Sequence, residues 1–267
     1  MINAIKHNSL EHFINEVRAK GRYSFALEEL KSKFDQSDKA LNQGLFRLKN
    51  KKKIAQIRKG YYAILSPEFS RQQMVPPYLF LDDLMKSLQK PYYVGLLSAA
   101  ALYGAAHQQP MEYFVIVKRP ALRNIKNKKL KINFFVKKQW AMQYIIQKKT
   151  DSGYINVSSP ELTALDLLYF IESLGINHIY QVLKELASEL NPVKLAQTAK
   201  DYTQVTTIQR LGFLLDELHE SKLAESLFKK LKAKKYFPVP LSINNQKGGI
   251  ADNRWKVIPN AEIDKEA

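Results

Sequence analysis

The stretch SDKALNQGLFRLKNKKKIAQIRKGYYAIL, Ser37 to Leu65, decides the fold of the N-terminal region. Asp35-Gln36-Ser37 makes a turn, and Ser37 can cap a helix that runs to about Asn50. At about 100° per residue, Leu41, Leu45 and Leu48 fall on one stripe of that helix. The opposite stripe holds Lys39, Gln43, Asn50 and, slightly round, Arg47, with Gln36 just ahead of the helix. These are long polar side chains able to reach base edges or phosphates. Ile54 to Ile57 and Tyr61 to Leu65 then read as two strands, joined by a basic turn at Arg58-Lys59-Gly60.

Working back from this stretch, Ser9 to Lys20 reads as a helix. Ser9 is its cap, and Leu10, Phe13, Ile14 and Val17 lie on one face. Gly21 ends it, and the spacing of Leu27, Leu30 and Phe34 predicts a second short helix over 25–34. Three helices followed by a basic-tipped hairpin is the order of a winged helix-turn-helix, whose third helix enters the major groove of double-stranded DNA. On this reading Gln36, Lys39, Gln43 and Arg47 contact bases, Arg to guanine and Gln to adenine. Ser37, Asn50, Lys51, Lys52, Lys53, Arg58 and Lys59 engage phosphates. A small helical bundle with a solvated lysine face is the competing reading of the same residues.

The chain has 267 residues, with 42 Lys and Arg against 25 Asp and Glu, a net charge of +17. With 45% hydrophobic and 11% aromatic residues it can bury a core, which excludes intrinsic disorder and suggests two domains or one large one. The absence of cysteine excludes disulfides, thiolate nucleophiles, iron–sulfur clusters and Cys-type zinc sites. No apolar run suits a signal peptide or reaches the roughly 20 residues of a membrane helix, so the expected location is cytoplasmic with no membrane partner.

The charge is segmental. Residues 36–60 carry eight basic residues against the single acid Asp38, and residues 118–149 carry eleven with no acid at all. Within the second block Lys118, Arg119, Arg123, Lys126, Lys128 and Lys129 form a second candidate basic surface. It suits an extended DNA contact, an RNA or acidic-partner surface, or a solvated basic loop.

Residues 66–77, with three prolines, read as a linker, and residues 78–89 as a helix. Pro91 to Pro110 contains a helix rich in small residues, which lets its backbone approach a neighbour closely. Strands are expected at 113–117 and 132–136, and a turn at Asp151-Ser152-Gly153 leads into 154–157. Ser159 as cap and Pro160 as first residue open a helical half with helices at 160–174, 177–190, 192–202, 205–218 and 222–231. A loop holding Lys247-Gly-Gly249, a short strand over 254–257 and a polar tail follow. The expected fold class is α+β: a winged helix-turn-helix over 1–68 and a linker with a connecting helix over 69–90. A larger mixed α/β domain over 91–267 has a small sheet and a mainly helical second half.

Nothing in the sequence assembles a catalytic site, a metal site or a cofactor site. Of the five histidines only His7 and His12 are close, and five apart is the wrong face for a metal pair. Lys247-Gly-Gly249 is too short for a phosphate loop and no Gly-x-Ser-x-Gly elbow occurs. Glu28-Glu29 and Asp82-Asp83 read as solvated acids, since helical neighbours point apart. A restriction-endonuclease-like nuclease would need a carboxylate on the second strand to hold Mg²⁺ beside a lysine. Glu112 and then Lys131-Ile132-Asn133 do not supply it.

Several strings together resemble the AbiEi antitoxin family of the AbiE abortive-infection, type IV toxin–antitoxin systems. They are PYYVGLLSAAALYGAAHQQP (Pro91–Pro110), VSSPELTALDLL (Val157–Leu168), QRLGFLL (Gln209–Leu215), NRWKV (Asn253–Val257) and, in the N-terminal region, RKGYYAI (Arg58–Ile64). The resemblance implies an N-terminal domain that represses the antitoxin's own operon at inverted repeats. It also implies a C-terminal AbiEi-type domain that counteracts a nucleotidyltransferase-like toxin, with or without stable toxin binding. It carries over no catalytic residues. His107, Gln108 and Gln109 could line a functional pocket or simply end their helix. A stand-alone transcriptional regulator, whose C-terminal domain senses a ligand or partner, is the alternative.

Overall fold

A computed structural model describes residues 9–105, 112–243, 245 and 248–265. Among the described residues the fold is α+β. Two compact units emerge. The first comprises Met1–Tyr92, Val117–Lys138 and Gln147–Asn156, and the second Tyr93–Ile116, Gln139–Ile146 and Val157–Ala267. These units cut across the expected domain over 91–267, because the basic segment 117–138 packs with the N-terminal region.

In the first unit, α1 (Leu10–Ala19) starts where the Ser9 hydroxyl accepts from His12 N at 3.1 Å, and it buries Phe13, Ile14 and Val17. The expected second helix is shorter than its spacing predicts. Ser24–Ala26 forms strand β1, and α2 covers only Leu27–Lys33. Tertiary pairing overrides the helical spacing here: Phe25 sits opposite Tyr62 in the sheet, stacks on its ring at 5.5 Å, and is fully buried. The third helix, α3 (Asp38–Asn50), begins at Ser37, whose hydroxyl accepts from Ala40 N at 3.3 Å. β2 (Ile54–Arg58) and β3 (Tyr61–Ile64) follow, giving a small antiparallel sheet in the order β1-β3-β2. Gly60, at φ +75°, makes the turn between them.

One core joins these elements: Phe13, Phe25, Phe34, Leu41, Leu45, Leu48 and Ile64 are all buried in it, and the Phe13 ring meets Phe25 edge-on at 5.4 Å. Each such side chain contributes about 1.5–3 kcal/mol by leaving water, so the orientation of α3 is fixed by its leucine stripe. α4 (Pro67–Ser70) is a single turn. Within residues 69–90 the expected connecting helix is present as α5 (Leu81–Ser87), which buries Leu81, Leu84 and Met85 completely and is packed into the first unit. Arg22 fastens this segment to α2, donating to Asp83 at 2.8 Å and to Glu29 at 2.8 and 3.1 Å. Glu29 and Asp83 are therefore not solvated acids but the two arms of an ion-pair clamp, and Asp82 accepts from the Tyr92 hydroxyl at 2.9 Å.

The larger sheet contains β4 (Tyr92–Val94), β5 (Tyr113–Val117), β6 (Ile125–Asn127), β7 (Leu130–Val136), β8 (Ile145–Thr150) and β9 (Gly153–Ser158). Its order is β6-β7-β5-β4-β9-β8. β6 and β7 form an antiparallel hairpin, and β4 pairs parallel with β9 at Val94 and Val157. Part of the Pro91–Pro110 segment is thus strand, and its helix α6 spans only Leu96–Leu102.

The second unit is built around α7 (Pro160–Tyr169), with Ser159 as cap and every residue from Glu161 to Leu168 buried. A helix buried on all sides is a core element, and its polar residues must be satisfied internally. Glu161 accepts from Asn191 N at 3.2 Å, and Asp166 accepts from the hydroxyls of Tyr93 and Tyr202, both at 2.7 Å. Burial, and then the Asp166 charge, push both phenols well above the ordinary tyrosine range. Phe170 breaks the expected 160–174 helix, and α8 (Ile171–Leu174) and α9 (Ile176–Leu186) follow. α10 (Pro192–Asp201), α11 (Val205–Glu217) and α12 (Ser221–Leu231) lie close to the predicted bounds.

The chain end clasps α11. Trp255 is buried against Gly212, where a Cβ would lie 2.1 Å from the indole ring. The indole N–H donates to Asp216 at 2.6 Å, and Arg254 bridges Asp216 and Glu225. The expected 254–257 strand is a two-residue parallel pairing instead, β10 (Val239–Pro240) with β11 (Val257–Ile258). Asp252 organises that turn by accepting from the N–H groups of Arg254, Trp255 and Val257.

Candidate nucleic-acid interface

With Leu41, Leu45 and Leu48 buried, the opposite face of α3 is turned to solvent. Gln36, Ser37, Lys39, Gln43, Arg47 and Asn50 are all exposed. Among the described residues, the side chains of Gln36, Lys39, Gln43, Arg47 and Asn50 make no hydrogen bond or ion pair. Folding leaves them free to bond to something else. Phe46 stands within this polar face and is 62% exposed, an apolar residue that the polar pattern alone does not single out.

The basic residues after α3 differ in availability. Lys52 and Lys59 are exposed, with side chains unengaged among the described residues. Lys51 and Lys53 turn toward α1, where both reach the Glu11 carboxylate, at 3.4 and 3.0 Å. Their hydrogen bonds, that of Lys53 first, hold the Glu11 carboxyl below the usual range. Such exposed pairs are worth little and can open when a phosphate competes. Arg58 is half-buried at the end of β2, and its Nη1 atom is buried without a partner, beside a cavity of about 570 Å³. The cavity is also lined by Arg22, Glu29, Lys59 and Lys86. Lys59 is accordingly the freer cation of the wing tip.

The second basic segment belongs to this same unit. Lys118, Arg119, Arg123, Lys126, Lys128 and Lys129 are exposed, the last two at the turn of the β6–β7 hairpin. Lys129 donates to Gln72 O at 3.0 Å, tying the hairpin to the connecting segment. Lys137, by contrast, is buried, so not every cation of the block faces solvent. Counted from the sequence, the first unit holds 28 Lys and Arg against 10 Asp and Glu, a net +18. The second holds 14 against 15, a net −1. The whole excess charge of the molecule therefore lies in the unit that contains α3, the wing and the basic hairpin.

Residues 93–217 match the family model of the AbiEi antitoxin C-terminal domain. That stretch is similar to an AbiEi antitoxin domain. In fold it is similar to the RV2827C protein from Mycobacterium tuberculosis, whose crystal structure superposes with a TM-score of 0.67 at 14% identity. The match covers 93% of this chain and 90% of that one. No curated protein matches the chain.

Within the AbiEi match, the resembling strings supply interior residues rather than a reactive site. VSSPELTALDLL is the buried helix α7, and QRLGFLL contributes Gly212 and Gln209, whose amide donates to the carbonyls of Phe237 and Trp255. NRWKV, beyond the match, supplies the clasping Trp255. His107, Gln108 and Gln109 lie outside the described residues, as does His7. Among the described residues, no group of three or more His, Asp or Glu is placed to hold a metal ion. Nor is any helix long and apolar enough to cross a membrane.

Proposed function

We propose that this AbiEi-domain protein is the antitoxin of a type IV toxin–antitoxin system and the autorepressor of its own operon. It works in the cytoplasm, binds operator inverted repeats as double-stranded DNA and counteracts a nucleotidyltransferase-like toxin. The AbiEi match supports the antitoxin role. The single observation that carries the DNA-binding role is the partition of charge. A net +18 confined to one unit, beside a unit of −1, is what a polyanion-binding surface requires and what a uniformly solvated surface would not produce. In this reading Gln36, Lys39, Gln43 and Arg47 read base edges. Ser37, Asn50, Lys51, Lys52, Lys53, Arg58 and Lys59 position the backbone, and the β6–β7 hairpin extends the phosphate contact.

The experiment is operator binding by the full chain across a salt series, with Arg47→Ala and Lys59→Ala alongside. Arg47→Ala should cost about 1–3 kcal/mol on the operator and little on scrambled DNA, while Lys59→Ala should weaken both alike. Equal losses on both duplexes for Arg47→Ala would remove its base-reading role. Absence of specific binding by the full chain would discard the repressor.

A further inference from the structure

On α3 the large apolar residues otherwise keep to the core side: Leu41, Leu45 and Leu48 are no more than 4% exposed. Phe46 breaks that rule, at 62% exposed. At about 100° per residue it falls roughly 20° from Lys39, 40° from Asn50 and 60° from Gln43, and about 160° from Leu48. It thus stands inside the exposed face, with Lys39, Asn50, Gln43 and, about 100° away, Arg47 to one side and the exposed Asn42, about 40° away, to the other, not at the border with the core. A phenyl ring there cannot hydrogen-bond to a base edge. The major groove presents one apolar group, the C5-methyl of thymine, and aromatic contact with it is an established way of reading an A·T pair.

We propose that Phe46 is a specificity-determining residue that packs on a thymine methyl, next to the base edges reached by the polar side chains of α3. The inference rests on the winged-helix reading of α3 given above. It assigns one A·T pair to each half-site, recognised by shape and apolar contact instead of by hydrogen bonds. The ring has only two side-chain torsions to fix on binding, so the contact costs little entropy.

The test uses the full chain and a duplex that it selects from a random pool, in which each thymine in turn is replaced by deoxyuridine. That change removes the methyl and nothing else. Wild type should lose about fourfold in affinity at one thymine per half-site, the worth of one buried methyl. Phe46→Ala should bind the thymine and uracil duplexes equally, and Phe46→Leu, which keeps an apolar tip, should retain a preference for thymine. Two results overturn the inference while leaving the winged helix standing. One is specific binding by wild type that is indifferent to every thymine methyl; the other is a Phe46→Ala variant that still discriminates by the wild-type factor. If the full chain enriches no duplex at all, the winged-helix reading itself fails and this inference with it.

Discussion

Lys52 offers a substitution whose effects on stability and on DNA binding should have opposite signs. It follows the last turn of α3, at φ +53°, in the left-handed region. Its N–H donates to Lys49 O and the N–H of Lys53 to Leu48 O, both at 2.9 Å. Those two bonds define the Schellman termination of a helix, in which the left-handed position is normally glycine. An L-residue there costs about 1–2 kcal/mol, because its Cβ crowds the following carbonyl oxygen. Glycine removes that cost but has more freedom to lose on folding, so Lys52→Gly should stabilise the first unit by about 1 kcal/mol net. For a chain of this size that is a rise in Tm of about 2–4 °C. Lys52→Ala keeps the Cβ and should leave stability near wild type.

The same side chain is exposed and unengaged among the described residues, and it stands among the proposed phosphate contacts. Removing one such contact lowers the slope of log K against log salt by about 0.9. Both variants should show that loss, and only the glycine variant the gain in stability. Thermal melts and a salt series on one duplex read the two effects separately. A destabilised Lys52→Gly would refute the backbone argument. An unchanged salt slope in both variants would refute the phosphate contact.

Two further outcomes follow from the interior. Gly212→Ala would drive a methyl into the Trp255 ring, which lies 2.1 Å from the Cβ position, and should destabilise the second unit by about 1–3 kcal/mol. Urea unfolding followed by tryptophan fluorescence checks it, and wild-type stability with unchanged emission would show that the ring yields freely. At Glu29, burial pushes the carboxyl up, but the hydrogen bonds from Arg22 and the Ala26 N–H outweigh it and leave the group below the usual range. Because the folded value is depressed, its contribution is complete above the unfolded carboxylate pKa and is lost as pH falls through the folded one. Glu29→Gln should therefore be less stable than wild type at neutral pH, with the difference shrinking in acid; parallel stability curves across that range would contradict the clamp.

The helical half was legible because its signals are local. Ser159-Pro160 and Asn191-Pro192 mark helix starts by capping chemistry that needs no knowledge of the rest of the chain, and α10 to α12 begin and end within a residue of their predicted bounds. The leucine stripe of α3 was legible for the same reason. Phe25 was not, since its strand exists only because β3 returns beside it some forty residues later, and a three-residue strand leaves no periodicity to read. Nor could the acids at Glu29 and Asp83 be told from solvated ones, because Arg22 is sixty-one residues from Asp83. The two basic blocks were visible as runs of charge, but not their membership of one unit. That depends on the topology that returns residues 117–138 to the N-terminal region.

The residues that specify the fold and those that would read DNA are almost disjoint sets, and this has a consequence for relatives. Asp166, Gly212 and Trp255 are interior, each committed to several partners, and a change at any of them is felt throughout the packing. Lys39, Gln43, Phe46 and Arg47 are exposed on a helix already held by its leucines, so their replacement leaves the frame intact. A common fold at 14% identity is what that separation permits. The backbone of α3 can be shared while its exposed side chains differ, and with them, on the proposed function, the sequence bound. On the proposed function, an operator would be encoded in the exposed face of α3 rather than in residues 93–217, which match the AbiEi model.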